Sequence, residues 1–103
     1  MPDTVALIAR ITARPEAVAE AEAALRELVD AAVAEDGTVE YVLNREGDSS
    51  SFWFFEVYAD QAAFDVHGQN PALHQVFAKL GGLLAEPPEM HLLTPLQAKH
   101  LPV

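Results

Sequence analysis

Glu56 and His67 are the two side chains of this 103-residue chain whose type and setting best fit acid–base chemistry. Glu56 is the only charged residue in the run 52–59, FWFFEVYA, whose composition is typical of a strand buried on both faces. A buried carboxylate is costly unless it is paired or protonated. Histidine, with an ordinary pKa of about 6.5, suits a general base near neutral pH. We therefore take both as candidate catalytic residues.

Each candidate also has a purely structural interpretation. Glu56 could be an acid satisfied by backbone groups, by Arg10 or by Arg45, because structural ion pairs also occur at such places. A lone histidine such as His67 is more often a polar residue at a helix end than a catalyst. His91 and His100 receive no role.

Strand alternation divides the run 52–59 into two faces. One face combines an acid with aromatic rings, as a pocket wall would: Phe52, Phe54, Glu56 and Tyr58. The other face is wholly apolar and needs a separate cover: Trp53, Phe55 and Val57.

Composition limits the classes of function. Half of the residues are hydrophobic and 21% are charged, which indicates one globular domain spanning 1–103. A net charge of −10 argues against nucleic acids and anionic membrane surfaces as partners. The chain has no cysteine, so disulfides and thiolate chemistry are excluded. No targeting segment or membrane-spanning run is recognisable, and a cytoplasmic location is expected.

The first half of the chain predicts a strand, a helix and a second strand. The strand covers 4–13, and the helix starts at Pro15, a residue favoured at the first helical position. Asp36-Gly37 is expected to end the helix with a left-handed cap residue. The second strand covers 38–46, with Val39, Tyr41 and Leu43 on one face, and residues 47–50 form the turn into the run 52–59.

The second half predicts two helical pieces and a last strand. Asp60 is expected to cap a short helix through Phe64 and His67, and Asn70-Pro71 to restart it. The restarted helix carries an apolar stripe of Leu73, Val76, Phe77 and Leu80. The last strand covers 89–96, and 97–103 is a tail.

The element order β-α-β-β-α-β predicts an α+β, ferredoxin-like fold with both helices on one face of an antiparallel sheet. Strands one and three are apolar on both faces, so the helix-free face should need a partner. The simplest solution is a two-fold homodimer with the sheets packed face to face.

Two segments resemble the antibiotic biosynthesis monooxygenase superfamily. Residues 35–41, EDGTVEY, are similar to its E-P-G-C-x-x-Y segment. A second family segment is matched by residues 55–58 together with Ala62-Ala63-Phe64, His67 and Asn70-Pro71. The resemblance covers nearly the whole chain. It implies a dimeric α/β barrel and one of three activities: cofactor-free oxidation of quinols or anthrones, haem degradation, or sugar-phosphate isomerisation.

The haem-degrading branch is the poorer match. It carries an asparagine, a tryptophan and a ligand histidine where this chain has Ile8 or Ala9, His67 and Phe77. His74 would be the alternative haem ligand. No other set of residues has a convincing metal-ligand spacing. We therefore predict that the protein needs no metal and no cofactor.

The leading hypothesis is a cofactor-independent monooxygenase that oxidises a quinol or an anthrone-type phenol with dioxygen. Such a substrate supplies its own electrons once deprotonated, so the enzyme needs a base and a dry apolar pocket. His67 would be the base and Glu56 would orient it or bind a substrate hydroxyl. The residues predicted to bind the substrate are Tyr41, Phe54, Tyr58, Phe64, Leu73, His74 and Phe77.

Two alternatives remain from the sequence. The first is an isomerase of a small sugar-phosphate-like substrate, which would use His67 and Glu56 for proton transfer. Such an enzyme needs a cationic phosphate anchor, and the chain has only six Lys and Arg residues. The second is a non-catalytic dimer that binds a small molecule.

Overall fold

One antiparallel sheet carries all the helices on a single face. The computed structural model describes residues 3–101, and the α+β, ferredoxin-like prediction is confirmed. The strands are β1 (Val5–Thr12), β2 (Thr38–Arg45), β3 (Ser51–Tyr58) and β4 (Glu89–Leu93), in the sheet order β2-β3-β1-β4. The helices are α1 (Val18–Ala32), α2 (Gln61–Gly68) and α3 (Pro71–Leu80), and a 3-10 turn at Pro15–Ala17 precedes α1.

The acid-bearing face of β3 is the face that the helices cover. The register of β1 against β3 places Leu7 opposite Glu56 and Ala9 opposite Phe54. The core on this side joins the sheet to α1 and α3, and its largest members include Phe52, Phe54, Ile11, Leu25 and Leu80. Glu56 is therefore buried on the helix-covered face, an outcome that the alternation of the run had left open.

The junction between α1 and β2 differs from the prediction. The helix ends at Ala32, before Asp36-Gly37, and Gly37 does not have a positive φ. Glycine is needed at this position for space, because a Cβ there would lie 2.4 Å from the Cβ of Ala63. The left-handed glycine is Gly47, with φ 55°, in the turn between β2 and β3.

Two side-chain caps define the break between α2 and α3. Asp60 accepts a hydrogen bond from the backbone N–H of Ala63 at 2.8 Å, and Asn70 accepts one from Ala72 at 3.0 Å. Pro71 occupies the first turn of α3. Both predicted starts are confirmed, and the break leaves His67 one residue before the end of α2, over the sheet.

The two outer strands depart from their predicted patterns. In β2 a bulge makes Val39 an extra residue between Thr38 and Glu40, so Val39 does not continue the alternation of Tyr41 and Leu43. The last strand ends at Leu93 and not at 96, and Pro95, which has no backbone N–H to donate, lies just beyond it. Of the predicted tail, residues 102 and 103 lie outside the described range.

The helix-free face of the sheet is partly apolar and partly charged. Phe55 is 37% exposed there, and Val42 and Leu93 are also exposed. The Arg10 guanidinium lies 5.8 Å from the centroid of the Trp53 ring and 3.0 Å from the Glu89 carboxylate. The expectation of a bare apolar surface therefore holds at the centre of the face, whereas its β4 side carries ion pairs. Within residues 3–101, no helix is long and apolar enough to cross a membrane.

Candidate active site

Glu35 is hydrogen-bonded to the imidazole of His67. The carboxylate oxygen Oε1 lies 2.9 Å from Nδ1 of His67. Both side chains are almost fully withdrawn from solvent, with 8% of Glu35 and 9% of His67 exposed. An ionised carboxylate only accepts hydrogen bonds, so Nδ1 is the protonated nitrogen in this contact. The other nitrogen, Nε2, is left as the basic atom.

Three donors converge on Glu35 from different elements. Besides His67, Asn70 donates from Nδ2 to Oε2 at 2.8 Å, and Thr38 donates from its hydroxyl to Oε1 at 2.8 Å. Burial alone would raise the pKa of Glu35, but the hydrogen bonds from Asn70, His67 and Thr38 outweigh it and lower the pKa from its ordinary value of 4.5. Glu35 is therefore an anion at neutral pH.

Glu56 is paired with a tyrosine and not with an arginine. The hydroxyl of Tyr58, two residues along the same strand face, donates to Oε1 of Glu56. Arg10 instead contacts Glu86 and Glu89, and Arg45 donates to the backbone oxygens of Ser49 and Asp48. The structural interpretation of Glu56 as an arginine partner is therefore wrong.

The pKa of Glu56 moves in the opposite direction to that of Glu35. Burial is the largest influence and raises the pKa above 4.5, while the Tyr58 hydrogen bond and the nearby His67 only partly offset it. Glu56 thus retains a proton at a higher pH than a carboxyl group in water. Two carboxyl groups with opposite shifts flank one histidine, which is a common arrangement where an acid and a base must work together.

The contact between His67 and Glu56 is close but is not a hydrogen bond. Nε2 of His67 and Oε1 of Glu56 are 4.0 Å apart. Within residues 3–101, no group is hydrogen-bonded to Nε2 of His67. The side chains of His67 and Glu56 line the same cavity. Nε2 can therefore accept a proton from a ligand oxygen placed beside it.

Aromatic rings fix the position of the imidazole. The ring centroid of His67 lies 5.1 Å from that of Tyr41 and 5.2 Å from that of Tyr58. Burial also raises the pKa of both tyrosines, and the charge of Glu56 adds to the shift, so both hydroxyls stay protonated. No hydrogen bond to the Tyr41 hydroxyl is present within residues 3–101. This hydroxyl is available to a ligand.

A cavity of about 130 Å³ lies between the helices and the sheet, against His67 and Glu56. Its lining residues are apolar apart from these two and Tyr41. The apolar wall combines β1, α1, β3, β4 and both short helices, and includes Leu7, Phe54, Phe64, Leu73, Phe77 and Met90. A dry site with a few convergent polar groups is the usual form of a small-molecule site.

The structure gathers most of the predicted site residues around this cavity. His67, Glu56 and five of the predicted substrate-binding residues line it: Tyr41, Phe54, Phe64, Leu73 and Phe77. Tyr58 is fully buried and does not line the cavity, but it contacts the site through its hydrogen bond to Glu56 and its ring contact with His67. His74 is exposed on α3 and does not line the cavity, because its helical position faces away from the stripe of Leu73 and Val76.

Glu35 was missed as a site residue from the sequence. It stands beside an Asp-Gly pair and reads as an ordinary solvated acid at a helix end. The signal that could have identified it is its place as the first residue of the segment 35–41. Neither parity nor helical spacing relates Glu35 to His67, which is 32 residues away in the chain.

Outside this cavity, an open cleft of about 420 Å³ runs between α1 and β2. Tyr41 forms a wall of both spaces. Within residues 3–101, no group of three or more His, Asp or Glu side chains is arranged to hold a metal ion. The polar side chains gathered at the site are those of Glu35, His67, Glu56, Tyr41 and Tyr58.

The family model for "Antibiotic biosynthesis monooxygenase" matches residues 4–79, a range that contains Glu35, Glu56 and His67. The chain belongs to this family. A relative from Mycobacterium tuberculosis, named "Putative monooxygenase Rv0793", is 37% identical over 100 residues, covering 93% of this chain and 95% of that protein. Its solved structure matches with a TM-score of 0.87 at 34% identity, over 92% of this chain and 97% of that one.

A second solved structure is that of a variant of SnoaB, a cofactor-independent oxygenase from Streptomyces nogalater. It matches with a TM-score of 0.81 at 26% identity, over 96% of this chain and 99% of that one. The family assignment and these relatives support a monooxygenase activity in general terms, and a small-molecule substrate is consistent with the cavity.

The raised pKa of Glu56 predicts how the free energy of unfolding depends on pH. A carboxyl group with a raised pKa binds more protons in the folded state, so its contribution to the free energy of unfolding falls as pH rises from 4.5 through the folded pKa. Glu56→Gln removes this loss and can still accept from Tyr58. We expect the variant to gain stability relative to the wild type as pH rises from 4.5 through the folded pKa of Glu56.

Urea denaturation of both proteins across this pH range measures the difference. Glu40→Gln, on the helix-free side of β2, is the control and should show no such trend. A constant difference between wild type and Glu56→Gln at every pH would contradict the raised pKa.

Proposed function

We propose that this chain is a cofactor-independent monooxygenase that oxidises a small electron-rich aromatic, a quinol or an anthrone-type phenol, with dioxygen. One observation carries the proposal. Glu35 fixes Nδ1 of His67, so that the basic Nε2 opens into an apolar cavity beside Glu56.

The first step is removal of a phenolic proton from the substrate. Nε2 of His67 accepts the proton, and the ionised Glu35 stabilises the imidazolium that results. A carboxylate behind a catalytic histidine plays this part in hydrolases, where it orients the ring and stabilises its charged form. The phenolate is a much stronger electron donor than the phenol, and it is the species that reacts with dioxygen.

Tyr41 and Glu56 complete the site. Tyr41 has a hydroxyl with no protein partner within residues 3–101, and Glu56 lines the cavity while its Oε1 accepts from Tyr58. Their raised pKa values keep these groups protonated more readily than in water. The Tyr41 hydroxyl, and Glu56 when it holds a proton, can donate to the oxygen atoms that gain negative charge as electrons pass from substrate to dioxygen.

Oxygen uptake by the purified protein tests the proposal. The assay uses a panel of quinols and anthrones with no added cofactor, in buffer treated with a chelator. We expect uptake well above the buffer control, and loss of that excess in His67→Ala. Binding of the quinols with uptake equal to the control would instead favour a non-catalytic binding protein.

The isomerase alternative receives less support from the site. A phosphate needs a cationic anchor, and no Lys or Arg from residues 3–101 lines the cavity beside His67. The ionised Glu35 behind His67 also disfavours an anionic substrate there.

We propose further that the functional form is a homodimer in which the helix-free sheet faces pack together. The exposed centre of that face is apolar, with Phe55 of β3 beside Val42 of β2. Polar and charged groups lie towards its edges, as in an interface with an apolar core and a polar rim.

Phe55→Glu is expected to convert the dimer to a monomer at micromolar concentration. An unpaired charge buried in an interface costs about 3–5 kcal/mol, and two-fold symmetry introduces it twice. Analytical ultracentrifugation gives the mass of the wild type and of the variant. Val33→Glu is the control, because Val33 is an apolar residue that is 83% exposed beyond the end of α1. A wild-type protein that sediments as a monomer would contradict the dimer.

A further inference from the structure

The size of the cavity limits the size of the ligand more narrowly than membership of the family does. The space beside His67 and Glu56 measures about 130 Å³. Apolar cavities of roughly 150 Å³ bind one benzene molecule, so this space is suited to a single six-membered ring. A fused three-ring anthrone is too large unless the helices move apart, and moving them would open the core formed by Leu28, Phe54 and Leu73.

The cavity is also directional. Its two acid–base residues are buried, with 5% of the whole Glu56 residue and 7% of the whole His67 residue exposed, and they carry polar atoms of the lining. The exposed residues of its lining are Gly68, at the end of α2, and Met90, on β4, which is 51% exposed. The mouth of the cavity therefore lies between α2 and β4, and a ligand enters with its hydroxyl-bearing end first.

The charge of the wall excludes acidic ligands. Among the described residues no cation other than a protonated His67 faces the cavity, while Glu35 stands directly behind that histidine. A carboxylate or phosphate on the ring would lose its hydration without a partner, which is unfavourable by several kcal/mol. A neutral ring with hydroxyl groups at opposite ends fits, since one hydroxyl meets the polar end and the other stays at the open mouth.

We propose that the cavity is specific for a neutral, single-ring 1,4-hydroquinone. One hydroxyl lies between Nε2 of His67 and the hydroxyl of Tyr41, and the other lies at the mouth between Gly68 and Met90. This inference rests on the proposed function for its chemistry, but its claim about ring number and charge concerns binding alone.

The corresponding reaction balances without any other reductant. Hydroquinone and dioxygen give hydroxy-1,4-benzoquinone and water. One oxygen atom forms a new bond to a ring carbon and becomes a hydroxyl group. The other oxygen atom leaves as water with the two hydrogens of the original hydroxyl groups. The ring supplies all four electrons, two from the hydroxylated carbon and two from conversion of the hydroquinone to the quinone.

Anaerobic titration calorimetry tests ligand selection without turnover. The ligands are a methyl-substituted hydroquinone, a two-ring 1,4-dihydroxynaphthalene, a three-ring anthrone and the one-ring homogentisate, which carries a carboxylate. We expect the neutral one-ring ligand to bind at least 10-fold more tightly than the anthrone and than homogentisate. Equal or tighter binding of the anthrone, or of the carboxylate, would overturn the proposal.

Two variants locate the ligand. Phe77→Ala enlarges the cavity. It should therefore lower the ratio of the dissociation constants of the two-ring and one-ring ligands by about 10-fold. Gly68→Leu places a side chain at the mouth, where an added Cβ meets nothing within 4 Å, and should weaken one-ring binding. Gly82→Leu has equal space but lies after α3, away from the cavity, and should leave binding unchanged. If Gly68→Leu and Gly82→Leu have the same effect on binding of the one-ring ligand, the position assigned to the mouth of the cavity is wrong.

Failure of this inference differs from failure of the proposed function. One-ring selectivity without oxygen uptake would retain the ligand assignment and remove the oxygenase. Oxygen uptake with anthrones that matches or exceeds the uptake with one-ring quinols would retain the oxygenase and overturn the ligand assignment.

Discussion

His67→Ala should lower the rate of oxygen consumption by about 10²–10⁴-fold, the usual contribution of a positioned acid–base group. The reason is that Nε2 of His67 is the only basic atom that opens into the cavity while its partner nitrogen is held by an anion, within the part of the chain that the structure describes. The measurement is kcat with the best quinol of the panel, together with circular dichroism to establish that the variant folds.

His74→Ala is the matched control for this experiment. His74 also lies on a helix of the same half of the chain but is exposed and outside the cavity, so its removal should change the rate less than twofold. Turnover like that of the wild type in His67→Ala would leave an enzyme but remove this histidine from its chemistry.

Glu35→Ala should lower both the stability and the rate. The substitution leaves three donors without their acceptor, on His67, Asn70 and Thr38, and these donors come from α2, the α2–α3 junction and β2. Loss of such a buried charged acceptor should cost about 2–4 kcal/mol in the free energy of unfolding. The rate should fall as well, because the imidazole loses the contact that fixes its protonated nitrogen.

Urea denaturation at pH 7 and at pH 4 separates this effect from a general loss of packing. The pKa of Glu35 is lowered, so its contribution is present above its ordinary value of 4.5 and is lost as pH falls through the lower folded value. The difference between wild type and variant should therefore shrink at pH 4. Asp36→Ala, at the exposed neighbouring acid, is the control. A change of less than about 0.5 kcal/mol for Glu35→Ala at pH 7 would contradict the assigned role.

The order of strands and helices was predictable because local signals agree with the global arrangement. The alternation of 52–59 divided β3 into its two faces but left open which of them meets the helices, and Asp60 and Asn70 correctly predicted the starts of α2 and α3. Where a local signal had two possible causes, the prediction was wrong. Gly37 was expected to cap α1 by its backbone conformation, but it is small because Ala63 of α2 approaches it closely.

The candidate site was predictable only in part, since it depends on long-range contacts. Parity could place Glu56 and Tyr58 on one face, and the family resemblance could single out His67. Neither could show that Glu35 crosses from the α1–β2 junction to the end of α2, because that contact depends on how α2 is seated on the sheet. His74 was assigned to the site by its helical neighbours, and a rotation of about one residue along α3 places it in solvent.

Labelled dioxygen tests the central claim most directly. The purified protein, in chelator-treated buffer of ordinary water, is supplied with ¹⁸O₂ and its preferred quinol, and the product is analysed by mass spectrometry against the His67→Ala variant. The account predicts one ¹⁸O atom per product molecule, formed by the wild type at a rate at least 10²-fold above the variant. A product without ¹⁸O, or labelled product formed equally fast by His67→Ala, would contradict it.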